Sequence, residues 1–201
     1  MRFILFLLGL LIFTSCDTSV KKAPNLLDYV PQNSLAAFQL NDQNMLENAL
    51  TNLPFLTEII ALDSSLNEDI KTIIPPVFSS KALLCFTPEG KSEIALSFIY
   101  KINPSNSLPE LSGDPFLYNN TTIRVSQKNQ RKIYSTTLKG LQIISTSQLV
   151  LENSIRNIQN KRPGIQNQSF FDLAEISDDN APMSVLLHRD FNTVLHSFFP
   201  E

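Results

Sequence analysis

The chain has 201 residues, 43% of them hydrophobic and 17% charged, with a formal net charge of −3. That balance excludes a disordered polyelectrolyte and suits one ordinary domain or two small ones. There is no long run of Lys or Arg, so nucleic acid is not an expected partner.

Arg2 is the single charge in residues 1–16, and residues 3–13 form an unbroken apolar run. A basic start, a short apolar stretch and small residues after it describe a secretory signal. The run is too short for a comfortable membrane span, which needs roughly 20 residues. It ends in Phe13-Thr14-Ser15-Cys16, and polarity returns at Asp17. This ending resembles the lipobox of bacterial lipoproteins, in the apolar-x-Ser-Cys form of the Bacteroidetes. Phe13 stands where the preferred box has Leu. The resemblance implies cleavage before Cys16 and acylation of its sulfur. Two or more acyl chains hold a protein stably on a bilayer, at about 0.8 kcal/mol per buried methylene. Residues 1–15 are thus expected as signal peptide, and 16–25 as lipidated cysteine and tether. The expected address is the cell envelope, lipid-anchored at the outer membrane. Asp17 stands alone before Lys21 and Lys22, without the acidic cluster of surface-exported relatives, which favours the face toward the periplasm.

From residue 26 onward one α+β domain is expected. Residues 34–40 read as a short buried strand. Asn41-Asp42 then caps a helix over 43–51, and Pro54 restarts it over 55–62. Ser65-Leu66-Asn67-Glu68 has a capping-box pattern, followed by a stripe of Leu66, Ile70, Ile73 and Ile74. Pro75-Pro76 stops that helix. Strands at 81–87 and 92–102 form a hairpin, the second placing Ile94, Leu96, Phe98, Tyr100 and Ile102 on one face. Residues 103–120 read as the longest loop. Within it Phe116, Leu117 and Tyr118 have two readings: docked on the core, or a contact site for a partner.

Short strands at 122–127, 132–138 and 141–145 read as a meander, turned by residues 128–131 and by Lys139-Gly140. Ser147 caps a helix to about Gln159, with Val150, Leu151, Ile155 and Ile158 on its apolar side. A short helix at 168–176, a strand at 182–188 and a helix at 190–199 complete the chain. The expected architecture is an antiparallel meander and hairpin sheet, with helices packed on one face and strand–helix units recurring at 34–51, 141–159 and 183–199. The helix at 190–199 is uncapped and apolar on one side. It suits either a short chain that packs it back on the sheet or the N-terminal part of a longer protein.

Tyr29-Val30-Pro31 before a strand, and Ile143-Ile144-Ser145-Thr146 before a helix, resemble uncharacterised Bacteroidetes envelope lipoproteins with domains of unknown function. That resemblance transfers no catalytic residues. His188-Arg189-Asp190 spells a kinase triplet without its context. His188 and His196 lack converging carboxylates for metal ligation. The carboxylates Asp63, Glu68, Asp69, Asp178 and Asp179 fit helix starts and loops. Five glycines leave little room for a phosphate loop. Cys85 reads as a small buried hydrophobe. No cofactor, metal or enzymatic activity is expected. The expected role is a membrane-anchored binding or scaffolding module, with the bilayer as one partner through Cys16 and an envelope protein as another. The alternative is a ligand-binding component of an envelope transport or assembly system, with an apolar groove between sheet and helices.

Overall fold

The computed structural model describes residues 26–41, 64–75, 78, 81–90, 93–102, 114–128, 131–160, 181, 183–188 and 191. The helices expected at 43–51, 55–62, 168–176 and 190–199 fall on or largely on residues outside these. So do Cys16, Asp63, Asp178, Asp179, Asp190 and His196.

Among the described residues, eight strands form one open antiparallel sheet in the order β4-β5-β6-β7-β3-β2-β1-β8. They are β1 (Ala36–Leu40), β2 (Ala82–Glu89), β3 (Glu93–Lys101), β4 (Pro115–Tyr118), β5 (Thr121–Lys128), β6 (Arg131–Leu138), β7 (Leu141–Ser145) and β8 (Met183–Leu187). A 3-10 helix at Leu26–Tyr29 leads in, and two α-helices are described, α1 (Ser64–Ile73) and α2 (Gln148–Gln159). The chain thus makes two meanders, β1-β2-β3 and β4-β5-β6-β7. They join where β3 pairs with β7, Ser97 opposite Ser145 and Ile99 opposite Ile143.

The expected hairpin and meander are found, with tight turns where the residue types permit them. Asn119 and Asn120 have φ of 45° and 57°, and Lys139 and Gly140 of 50° and 77°. Two consecutive left-handed residues match the twist of the strands they connect, and Asn and Gly carry that backbone at least cost. α1 begins at Ser64, so Ser65 lies within the helix. Its apolar stripe is as read: Leu66, Ile70 and Ile73 are buried, and Ile74 packs beside them.

The described helices do not share one face of the sheet. Leu66, Ile70 and Ile73 of α1 pack with Phe38, Leu84, Phe98 and Ile144. Leu151, Ile155 and Ile158 of α2 pack with Ala37, Leu83, Cys85, Ile99 and Ile143. Neighbouring strand residues point to opposite sides, so α1 and α2 cover opposite faces. The reason lies in the central strands. β2 runs Ala82-Leu-Leu-Cys-Phe86 and is buried at every one of these positions. In β3 the stretch from Ala95 to Tyr100 is buried throughout. Both parities of these strands are apolar or small, so both faces need a cover. Phenylalanine recurs on the α1 side, as Phe38, Phe78, Phe86, Phe98 and Phe191. Phe78 meets Phe98 edge to face with ring centres 5.2 Å apart, and Phe38 lies 5.3 Å from Phe86.

Two equal cores give a direct check. Phe98→Ala on the α1 side and Leu151→Ala on the α2 side should each lower stability in urea unfolding by about 2–5 kcal/mol. A negligible loss at Leu151 would show that the α2 face is not a core.

Candidate functional site

The contact triplet read from the sequence lies on an edge strand and not in a loop. Phe116, Leu117 and Tyr118 belong to β4, which pairs with β5 through Phe116 opposite Ile123 and Tyr118 opposite Thr121. The pleat splits the triplet. Phe116 and Tyr118 pack on the α2-side core, while Leu117 is 76% exposed on the other face. Two rings are thus docked on the core, and the apolar side chain between them is exposed. Pro115 and the polar residues before it concealed the strand, because proline has no N–H for a ladder and reads as loop. As the first residue of an edge strand it is tolerated there.

A second opening lies where β2 ends beside the start of α2. It is a shallow space of about 360 Å³ whose walls include Glu89, Tyr134, Ser147, Leu149 and Glu152. Ser147 is the N-cap of α2. Its Oγ accepts the Val150 N–H at 3.2 Å and donates to Glu89 Oε1 at 2.8 Å. A serine beside a carboxylate can suggest a nucleophile and a base. Here the hydroxyl is already committed to the cap, and Glu89 complements the positive end of the helix. The far end of α2 is tied as well. Lys139 Nζ donates to Ile158 O at 2.6 Å, and Gln159 Nε2 to Asn119 O at 2.7 Å. The helix is fixed at both ends to turns of the meander.

The remaining sequence candidates are dispersed. His188 sits at the end of β8, where its N–H donates to Leu35 O at 2.7 Å and its carbonyl accepts from Phe191. Glu68 faces Lys71 at 3.7 Å on the exposed side of α1. Asp69, one residue on, is buried and pairs with Arg131 at the start of β6. Sequence reasoning placed Asp69 among dipole-complementing acids and missed this partner, 62 residues away. Among the described residues no group of three His, Cys, Asp or Glu is arranged to hold a metal ion. Among them also, no helix is long and apolar enough to cross a membrane. Cys85 is fully buried on β2, as read, and burial pushes its thiol above the ordinary range. Burial raises the Tyr100 phenol as well.

Comparison of the chain with protein-family models, with curated proteins and with solved structures finds no match.

Three outcomes are expected. Ser147→Ala should cost about 1 kcal/mol in urea unfolding, the usual loss of an N-cap. Phe116→Ala should destabilise by roughly 2–4 kcal/mol, whereas Leu117→Ser should stay within about 0.5 kcal/mol. The third concerns pH. The folded state keeps the Cys85 thiol protonated where the unfolded chain releases its proton. Its contribution is therefore complete below about pH 9 and is lost above it, at about 1.4 kcal/mol per pH unit. Stability should fall as pH rises past that point, and Cys85→Ala should flatten the decline. A slope unaffected by that substitution would contradict the assignment.

Proposed function

We propose that this protein is a membrane-anchored lipoprotein of the cell envelope, held by acylated Cys16 at the outer membrane and facing the periplasm. Its domain acts as a non-enzymatic binding or scaffolding module. The observation that carries this reading is the N-terminal pattern: Arg2, the apolar run 3–13, then Thr14-Ser15-Cys16. The sequence between Cys16 and the buried Leu26 and Leu27 is only nine residues, mostly polar, a composition that suits a tether. The domain is read as α+β, and β7 followed by α2 is the described example of its recurrent strand–helix unit.

Between the sheet and the two described helices, side chains of the two cores pack together, which suits a module that presents its outer surface to a partner.

The test is metabolic labelling with radioactive palmitate, followed by membrane fractionation. The wild-type chain should be labelled and sediment with membranes, and the Cys16→Ser chain should do neither. Labelling that survives in Cys16→Ser, or an unlabelled wild type, would sink the anchor.

A further inference from the structure

The charge of this protein is unevenly spread. Residues 115–151 contain five cations, Arg124, Lys128, Arg131, Lys132 and Lys139, and no acidic residue; the rest of the chain carries eleven cations against nineteen acids. These five lie on or between strands β4 to β7, the outer meander. Two of them are engaged. Arg131 pairs with Asp69, and Lys139 donates to the end of α2. Arg124, Lys128 and Lys132 are exposed, and among the described residues none of them is in an ion pair; the nearest acid in sequence is the exposed Asp114, just before β4.

The register places these side chains. One row across the sheet runs Phe38, Leu84, Phe98, Ile144, Ser135, Arg124, Pro115. Directly opposed residues share a face, so Arg124 lies on the α1 face. The row is buried as far as Ser135 and exposed at Arg124 and Pro115. Lys128 shares the face of Arg124, four residues further along β5, and lies opposite Arg131. Leu117 is on this face too, opposite Thr122. The outer end of the α1 face is therefore bare. It presents Leu117 at 76% exposure opposite the exposed Thr122, with Arg124 next along β5 on the same face and Lys128 at the far end of that strand. Lys132, opposite Gln127 near the start of β6, adds a charge on the other face.

We propose that this exposed end of the sheet, from Leu117 through Arg124 to Lys128, docks on an anionic bilayer surface. Three features select lipid. Cations without counter-charges are drawn to anionic headgroups. Leu117, diagonal to Arg124 on the same face, supplies an exposed apolar side chain beside the charge, which a headgroup layer can bury and an aqueous polyanion cannot. The face carries no aromatic ring among Pro115, Leu117, Thr122, Arg124, Ser126 and Lys128, so bases of a single-stranded nucleic acid find no stacking platform. The inference rests on the proposed anchor for bringing this surface to a membrane. A tether of residues 17–25 reaches at most about 30 Å, which keeps the domain beside the bilayer. Docking would fix its orientation there.

The test uses the full chain carrying Cys16→Ser, so that acylation plays no part. Its partitioning is measured by cosedimentation with vesicles of phosphatidylcholine, and of equimolar phosphatidylcholine and phosphatidylglycerol. The anionic vesicles should bind it more tightly, and raised salt should remove the difference. Arg124→Gln and Lys128→Gln should each weaken that preference about fivefold. Leu117→Ser should weaken binding further at unchanged charge. Arg156→Gln, on α2 across the sheet, should leave the preference intact. All four positions are exposed, and an unchanged urea midpoint confirms each variant's fold. Equal binding to both vesicle types overturns the proposal. So does a preference that persists in the Arg124→Gln/Lys128→Gln chain. Retention on immobilised polyglutamate without vesicle preference overturns it in favour of an acidic polypeptide. Palmitate labelling reports on Cys16 alone, so the failure of either idea is recognised separately.

Discussion

The pairing of β3 with β7 is the constraint on which the rest of the molecule depends. It joins two meanders into one sheet, and both cores draw side chains from each of them. The seam is held by more than its ladder. Ser97 donates its hydroxyl to Ser145 Oγ at 3.0 Å, and Ser145 in turn donates to Leu96 O at 2.9 Å. Ser145 Oγ also accepts the Ser147 N–H at 3.2 Å. Thr146 closes the end of the seam, its N–H reaching Leu96 O and its Oγ1 accepting the Leu96 N–H, both at 3.0 Å. Buried hydroxyls are costly unless they are paired. These are paired with one another and with the backbone, so the register that satisfies them is strongly preferred over a slipped one.

From this seam the helix α2 follows directly. Ser145 holds Ser147 in place, and Ser147 caps the helix through Val150. The helix then lies back over β7, β6 and β3, and its Leu151, Ile155 and Ile158 close the second core. Lys139 and Gln159 tie its far end to the two tight turns of the outer meander. On the opposite face α1 does the corresponding work, with Asp69 reaching Arg131 at the start of β6. That ion pair links the covering helix to the outer meander. Arg131 stays half exposed while Asp69 is almost wholly buried, so the guanidinium chiefly offsets the cost of a buried carboxylate.

Local features were legible wherever the local chemistry was decisive. The cap at Ser147, the stripe of α1, the Lys139-Gly140 turn and the meander follow from residue type and short-range spacing. Cys85 in an apolar run could be placed in the core for the same reason. β4 was not legible, because four residues beginning with Pro115 become a strand only when β5 is there to pair with. The face of each helix was not legible either. Ile94, Leu96, Phe98 and Tyr100 announced one apolar side of β3. Ala95, Ser97 and Ile99 are small or interspersed with polar residues, and they read as a solvent side until α2 and the 3-10 helix are seen to cover them.

The same division holds for function. By itself the sequence determined the N-terminal pattern around Cys16, the lack of a recognisable catalytic motif, and the uneven distribution of acids and bases. Each of these is a property of residues adjacent in the chain, where spacing and composition are sufficient. Tertiary structure decided which charges are engaged and which stand free. Arg131 and Lys139 differ little from Lys128 and Lys132 in sequence. They differ because α1 and α2 bring them an acid and a helix end, across separations of 62 and 19 residues. It also decided that Leu117 stands out from the sheet while Phe116 and Tyr118 turn inward. A strand's pleat sets that alternation, but only its neighbours determine which side is the core.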